Sequence, residues 1–303
     1  MAKTSIFPCD ICGSEEAVEI PEARFYNDGS PIHVCCSCGF VCCRERRSAQ
    51  AIADSWSNEI YGKADGNNEG KGELDEGAME TYSALTPYVK ARHSFVLEMI
   101  SQKIGLEGQS VCDIGAGQGE LLDSARSGYG ADVFGIEPSA DNCRRLESKG
   151  IDNFNGVVED FKPQEGNLFD VATITWTLEN CQSCHNMVKA AYDCVKDDGH
   201  LVIATGSRIL VPFKKPLHYF FNPALPQDTH PFFVFFNCLR GLMATCGFEM
   251  THVNRFIDSD YLVMIGRKSD KPLENNWDRD NYQDVLDFFS RWHKETQDHY
   301  LDR

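Results

Sequence analysis

The stretch Val111-Cys112-Asp113-Ile114-Gly115-Ala116-Gly117-Gln118-Gly119-Glu120 limits the fold more than any other part of this 303-residue chain. Short apolar residues run into an acid, glycines follow at alternate positions, and Leu121-Leu122-Asp123-Ser124-Ala125 continues as a helical run. That order is a buried strand, a tight turn and a helix N-terminus. A backbone that bends sharply and lets a ligand lie against it has no room for a Cβ, so the turn is built from glycine. The spacing is G-x-G-x-G, unlike the G-x-G-x-x-G of dinucleotide folds, and no Gly-Lys-Ser/Thr follows to hold a triphosphate.

From Ser110 onward, strand and helix patterns alternate, which predicts an α/β fold: a Rossmann-like, doubly wound sheet with helices on both faces. The first strand is 111–114 and the second, 132–137, ends in Glu137. Pro138-Ser139 then opens a helix over 141–149 that Gly150 ends. Short strands follow at 154–160 and 169–175. A helix over 186–195 and the turn Asp197-Asp198-Gly199 lead to a fifth strand at 200–205. An apolar helix is expected over 231–246. Residues 248–256 and 261–267, joined at Asp258-Ser259-Asp260, are expected to close the sheet as an antiparallel hairpin.

Of the fourteen cysteines, seven lie between Cys9 and Cys43. Cys9-Asp10-Ile11-Cys12-Gly13 and Cys35-Cys36-Ser37-Cys38-Gly39 are two C-x-x-C-G units, each presenting two thiolates to one tetrahedral ion. Asn27-Asp28-Gly29-Ser30-Pro31 is a strong turn signal between them. The expectation is a small four-cysteine zinc ribbon before the sheet, with Cys9, Cys12, Cys35 and Cys38 as ligands. A closed thiolate shell implies structural zinc. His33, Cys36, Cys42 and Cys43 leave the ligand choice open. A polar, helical connector follows over 44–61, then a glycine-rich acidic run at 62–77 that suits a linker. Helical character resumes at 79–104, with Pro87 placed to start a second segment.

The N-terminus lacks the charged and apolar regions of a signal peptide, and no apolar run is long enough to span a bilayer, so a cytoplasmic location is expected. The net charge of −17 disfavours extended contact with nucleic acid or anionic membrane.

The glycine stretch, the acid in Gly135-Ile136-Glu137-Pro138-Ser139, the loop Gly156-Val157-Val158-Glu159-Asp160, and Phe169-Asp170-Val171 through Leu178-Glu179-Asn180 together resemble class I S-adenosylmethionine-dependent methyltransferases. The resemblance spans about 82–267. It implies that Glu137 accepts the ribose hydroxyls of S-adenosyl-L-methionine. Asp113, Gly115, Ala116, Gly117 and Gly119 would cradle its methionine end. Val158 and Glu159 would lie beside the adenine, and Ile136 would form its apolar wall. With the cysteine ribbon, the chain resembles sugar C-methyltransferases and related enzymes of lipopolysaccharide or antibiotic-sugar biosynthesis, and Pro31-Ile32-His33-Val34 is similar to their lead-in to the second cysteine turn. It departs from them at Asn180, where they often carry histidine. Their large C-terminal domain is also absent or much reduced.

These readings divide the chain into a zinc ribbon and connector over 1–57, a linker over 58–80, a methyltransferase domain over 81–268 with a lid insertion at 207–231, and an acidic C-terminal helix over 269–303. Tyr82, Tyr88 and Arg92 are candidates to cover the cofactor. The lid is aromatic and proline-punctuated, with Lys214 and Lys215 as a local basic pair. A protonated nucleophile needs a base; His230 is the first candidate, followed by His218 and Tyr219. Cys181-Gln182-Ser183-Cys184-His185 matches a haem-attachment pattern, but without export it reads as buried thiols. Tyr282, Val285, Leu286, Phe289 and Trp292 form one apolar helix face, expected to pack on the core, with homodimerisation as its alternative use.

The function expected is methyl transfer to a small-molecule acceptor, a sugar or sugar nucleotide among the candidates. Protein or tRNA methylation with the ribbon as recognition module, or a non-catalytic ribbon scaffold, are the alternatives. DNA is excluded as a partner by the charge and by Thr175-Trp176-Thr177-Leu178, which stands where amino-methyltransferases carry N/D-P-P-Y.

Overall fold

The computed structural model describes residues 4–26, 31–55, 76–163, 168–206, 216–217, 230–255, 261–271, 273 and 277–301, and side chains within these except 76–86 and 301. Its centre is a seven-stranded sheet in the order β12-β13-β10-β9-β6-β7-β8. The strands are β6 (Ser110–Ile114), β7 (Asp132–Glu137), β8 (Asp152–Asn155), β9 (Phe169–Thr175), β10 (Val195–Thr205), β12 (Phe248–Val253) and β13 (Leu262–Lys268). β8, β7, β6, β9 and β10 run parallel, with Val111 opposite both Val133 and Val171. β13 pairs antiparallel with β10 and with β12, which is the expected closing hairpin.

The central strands are near-continuous apolar runs because both faces are covered. On one face Val96, Leu97 and Ile100 of the Glu76–Lys103 helix meet Leu121, Leu122 and Ala125 of the Glu120–Tyr129 helix. On the other, Val188 and Ala191 of the Cys184–Cys194 helix join Leu239 and Leu242 of the Phe236–Thr245 helix. Pro87 lies inside the 76–103 helix and does not open a second one. Burial of Val96, Leu97 and Ile100 outweighs the one hydrogen bond that proline removes. Asp197-Asp198-Gly199 is not a turn before the fifth strand but a bulge within β10, where the pairing register shifts between Val195 and His200.

A second sheet, β11-β4-β3-β2, carries the cysteines: β2 (Ala17–Glu19), β3 (His33–Cys35), β4 (Val41–Cys42) and β11 (Phe232–Phe233). The apolar run from Pro231 was expected to be helical throughout. Instead Phe232 pairs with Cys42 and Phe233 with Val41, and the helix begins only at Phe236. The buried edge of β4 needs backbone partners, and the segment supplies them; the Cys43 amide likewise donates to the Pro231 carbonyl at 2.8 Å. Ribbon and core are thereby joined in one apolar cluster.

The connector holds a two-residue strand, β5 (Glu45–Arg46), paired with β1 (Ser5–Ile6), and then a helix over Ala49–Ser55. The Tyr282–Thr296 helix buries Val285, Phe289 and Trp292 as its pattern required, and it docks on the ribbon. Tyr26 Oη lies 2.6 Å from His293 Nδ1, and the Asp280 amide donates to the Cys38 carbonyl at 3.3 Å. Among the described residues no helix is long and apolar enough to cross a membrane.

Candidate active site

Strand order reverses between β6 and β9, and ligands of open α/β sheets bind beyond the carboxyl ends of the strands at such a point. There the chain forms a cleft. Ile114, Gly115 and Gly117 of the glycine turn line it, as do Ile136 and Glu137 from the end of β7.

Two of these glycines have different tasks. Gly115 has φ +76°, and a Cβ there would sit 2.5 Å from Thr177 Oγ1, so the loop after β9 closes directly on the turn. Gly117 has φ +54° with nothing within 4 Å of an added Cβ; its bare backbone faces open space in the cleft.

Glu137 is buried, and burial pushes its carboxyl upward. Backbone amides hold the group in place: Gly117 donates to Oε2 at 2.8 Å and Ser139 to Oε1 at 2.9 Å. Asn142 Nδ2 also reaches Oε1, at 3.4 Å, and the acceptor capacity left on the carboxylate suits a ligand hydroxyl. Val158 and Glu159, on the short helix Val158–Asp160, form the neighbouring wall with Gly156 and Val157.

Asp113 stands apart from this group. It lies buried beneath the turn, does not line the cleft, and accepts a hydrogen bond from Thr173 Oγ1 at 2.6 Å. Burial pushes its carboxyl up to about 7. Between the ordinary 3.8 of the unfolded chain and that value, the folded state binds more protons, so this group's contribution to stability falls as pH rises through the window. Asp113→Asn is therefore expected to flatten the decline of stability between about pH 4 and pH 7, a difference of a few kcal/mol at most. Parallel pH–midpoint curves for the two proteins would count against this.

Two small wall residues carry no sequence signal. Ala49 and Ala53, from the helix that follows the ribbon, line the cleft, as do Trp176, Thr177, Asn180, Cys181, Gln182 and Met187. Trp176 has φ +51°, a conformation that a bulky side chain adopts only when its surroundings enforce it. The Arg92 guanidinium lies 4.0 Å from the Trp176 ring and 5.0 Å from that of Tyr88, so two of the three residues expected to cover the cofactor gather at the cleft wall. The side chain of Tyr82 is outside the described residues. Asn180 donates to the Trp176 carbonyl at 3.0 Å, which turns its shielded Oδ1, without a partner among the described residues, the other way.

His230 precedes β11, lies with its ring 6.4 Å from that of Phe233 and does not line the cleft. His218, Tyr219 and nearly all of the 207–231 segment lie outside the described residues, as does most of 58–80. Cys181 and Cys184 are both buried, and burial pushes their thiols upward, which fits inert thiols.

The ribbon brings Cys9, Cys12, Cys35 and Cys38 together, all four Sγ atoms within 4.8 Å of one another. Cys9–Cys38 and Cys12–Cys35 are both 3.6 Å apart. Zinc–sulfur bonds of about 2.3 Å in a tetrahedron separate sulfurs by about 3.8 Å, so the donor set fits such an ion. Hydrogen bonding among the four thiols pulls Cys35 down and pushes Cys9 up, the conflict that a bound cation removes. His33, Cys36, Cys42 and Cys43 stand outside the cluster.

Residues 88–253 match the family described as "Methyltransferase domain". The chain is 30% identical over 140 residues to the ubiquinone biosynthesis O-methyltransferase of Glaesserella parasuis, covering 42% of this chain and 59% of that protein. It is 31% identical over 147 residues to the Coxiella burnetii protein of the same name, covering 45% and 61%. The chain thus spans about 60% of the length of these relatives. Among solved structures, magnesium protoporphyrin IX methyltransferase from Synechocystis with bound SAH superposes with a TM-score of 0.53 at 14% identity, over 72% of this chain and 99% of that one. The 1,6-didemethyltoxoflavin-N1-methyltransferase of Burkholderia thailandensis gives 0.51 at 14%, over 76% and 96%. At these identities the likeness is one of fold. With the family match covering more than half its length, on a sheet of this order, the chain belongs to the methyltransferase-domain family.

Proposed function

We propose that this enzyme transfers the methyl group of S-adenosylmethionine to an oxygen of a small-molecule acceptor, and that Cys9, Cys12, Cys35 and Cys38 hold a structural zinc ion. The observation that carries the donor reading is Glu137, locked by two backbone amides at the end of β7 where it lines the cleft. Glu137 takes the ribose hydroxyls; Gly115, Ala116, Gly117 and Gly119 receive the methionine end, with Asp113 supporting the turn from below. Val158, Glu159 and Ile136 flank the adenine. The donor supplies an electrophilic methyl group, and the protein contributes chiefly alignment for in-line displacement.

An oxygen acceptor is supported by the O-methyltransferase names of the relatives matched over the core. A compact, ring-bearing acceptor is supported by Trp176 and Met187 at the wall. A sugar or sugar-nucleotide acceptor rests on the cysteine ribbon alone. His230, with His218 and Tyr219 of the same segment, is the proposed proton acceptor. His230 itself does not line the cleft, and its place in the proposal rests on the aromatic segment that it shares with His218 and Tyr219.

Release of S-adenosylhomocysteine, measured with phenolic and with sugar-nucleotide acceptors, tests the reading. Turnover is expected with the phenols. Glu137→Ala is expected to raise the donor KM about 10- to 100-fold, the cost of charge-assisted hydrogen bonds of about 1.5–3 kcal/mol. An unchanged donor KM would remove Glu137 from its role, and turnover confined to sugar nucleotides would move the acceptor class.

A further inference from the structure

The Arg46 side chain is fully buried, an unusual position for a cation in a ribbon that needs none to hold its metal. Nη2 donates to Asp10 Oδ2 at 2.8 Å, and Asp10 lies inside the first cysteine turn, between Cys9 and Cys12. Nη1 donates to the Gln182 carbonyl. The guanidinium lies between two rings, 4.3 Å from that of Phe7 and 4.8 Å from that of Phe232. The other Asp10 oxygen accepts from Ser183 Oγ at 2.6 Å, and Ser183 caps the Cys184–Cys194 helix by accepting from the Asn186 amide at 3.2 Å. Gln182 returns the contact, its Nε2 donating to the Arg47 carbonyl at 2.7 Å.

Two of the segments tied by this network reach the cleft. Cys181, Gln182 and Met187 line it from the core, and Ala49 and Ala53 from the helix three residues after Arg46. Leu178 and Cys181 anchor the loop after β9 in the apolar cluster, and the buried charges on the cysteine turn hold Gln182 and Ser183 at its far end. We propose that Arg46 is a positioning residue for the methyl-donor cleft, tying the first cysteine turn to the loop after β9 so that the metal ribbon sets the shape of the cleft wall. This rests on the reading of the cleft as the donor site.

A planar guanidinium reaches Asp10 and the Gln182 carbonyl together; a single ammonium on a flexible stem does not hold both in that fork. The full chain carrying Arg46→Lys separates a positioning role from a purely stabilising one. Zinc content, thermal midpoint, calorimetric affinity for S-adenosylhomocysteine and hydrogen exchange over residues 178–187 are read together. Arg46→Lys is expected to keep its zinc and most of its midpoint, yet bind S-adenosylhomocysteine about ten-fold more weakly. Exchange over 178–187 is expected to quicken while β6, β9 and β10 stay protected.

If the lysine variant regains affinity along with stability, Arg46 is only a structural ion pair and the proposal fails. Arg46→Met alone strands the Asp10 carboxylate and is expected to lose midpoint as well. Joined with Asp10→Asn it is expected to recover midpoint but not affinity; recovery of both overturns the proposal. Wild-type chain that binds no S-adenosylhomocysteine contradicts the donor reading itself, whereas wild-type binding matched by the variants contradicts only the role of Arg46.

Discussion

Gly115→Val is expected to abolish donor binding, by about 100-fold or more, and to lower the thermal midpoint with it. Two costs combine. At φ +76° a β-branched residue is strained by about 1–3 kcal/mol. Its Cβ would also overlap Thr177, which lines the cleft, so the loop after β9 must move outward. Gly117→Ala is the control that separates the two. It meets no protein atom within 4 Å, so its stability cost is the strain alone, but its methyl group projects into the cleft. The expected pattern is a large loss of both stability and affinity for Gly115→Val, and a loss mainly of affinity for Gly117→Ala. Calorimetry and a thermal melt on each check it, and a Gly117→Ala protein with wild-type affinity would show that the ligand does not touch this backbone.

Removing the metal is expected to have the second large effect. The four sulfurs have no fold-independent reason to be this close, and structural zinc in small domains contributes about 10 kcal/mol or more. Here the ribbon shares an apolar cluster with the sheet and the C-terminal helix, through Phe40 stacked on Phe232 at 6.0 Å and through Phe289 and Trp292. Loss of metal therefore exposes surface on the core as well. Stripping with a strong chelator, or Cys38→Ser, is expected to lower the midpoint by about 10 °C or more. Protein purified without zinc at full midpoint would contradict the metal assignment.

The parallel sheet was legible because buried strands are written as short apolar runs, and the glycine turn because a positive φ leaves few other residues available. The cysteine pairs announced themselves by spacing. What could not be read is contact between segments distant in the chain. Phe232-Phe233 looks helical beside Phe236, because two residues of a strand have no period of their own; only the open edge of β4 makes them extended. The apolar face of the 282–296 helix was visible, but a helix pattern does not say that it will cover the ribbon. Ala49 and Ala53 enter the cleft wall because they are small, and smallness on a helix carries no functional mark. The strained Trp176 likewise follows from its neighbours and not from its own identity.

The central claim is that the cleft at the ends of β6 and β7 holds the methyl donor through Glu137 and the glycine turn. Calorimetric titration of the full chain with S-adenosylhomocysteine, beside Glu137→Ala, tests it most directly. The expected result is one site per chain with a dissociation constant on the order of micromolar for the wild type, as for typical enzyme ligands, and a weakening of about ten-fold or more for the variant. A wild-type chain, zinc-loaded and folded, that binds no S-adenosylhomocysteine at millimolar concentration, or a variant that binds it equally well, would contradict the claim.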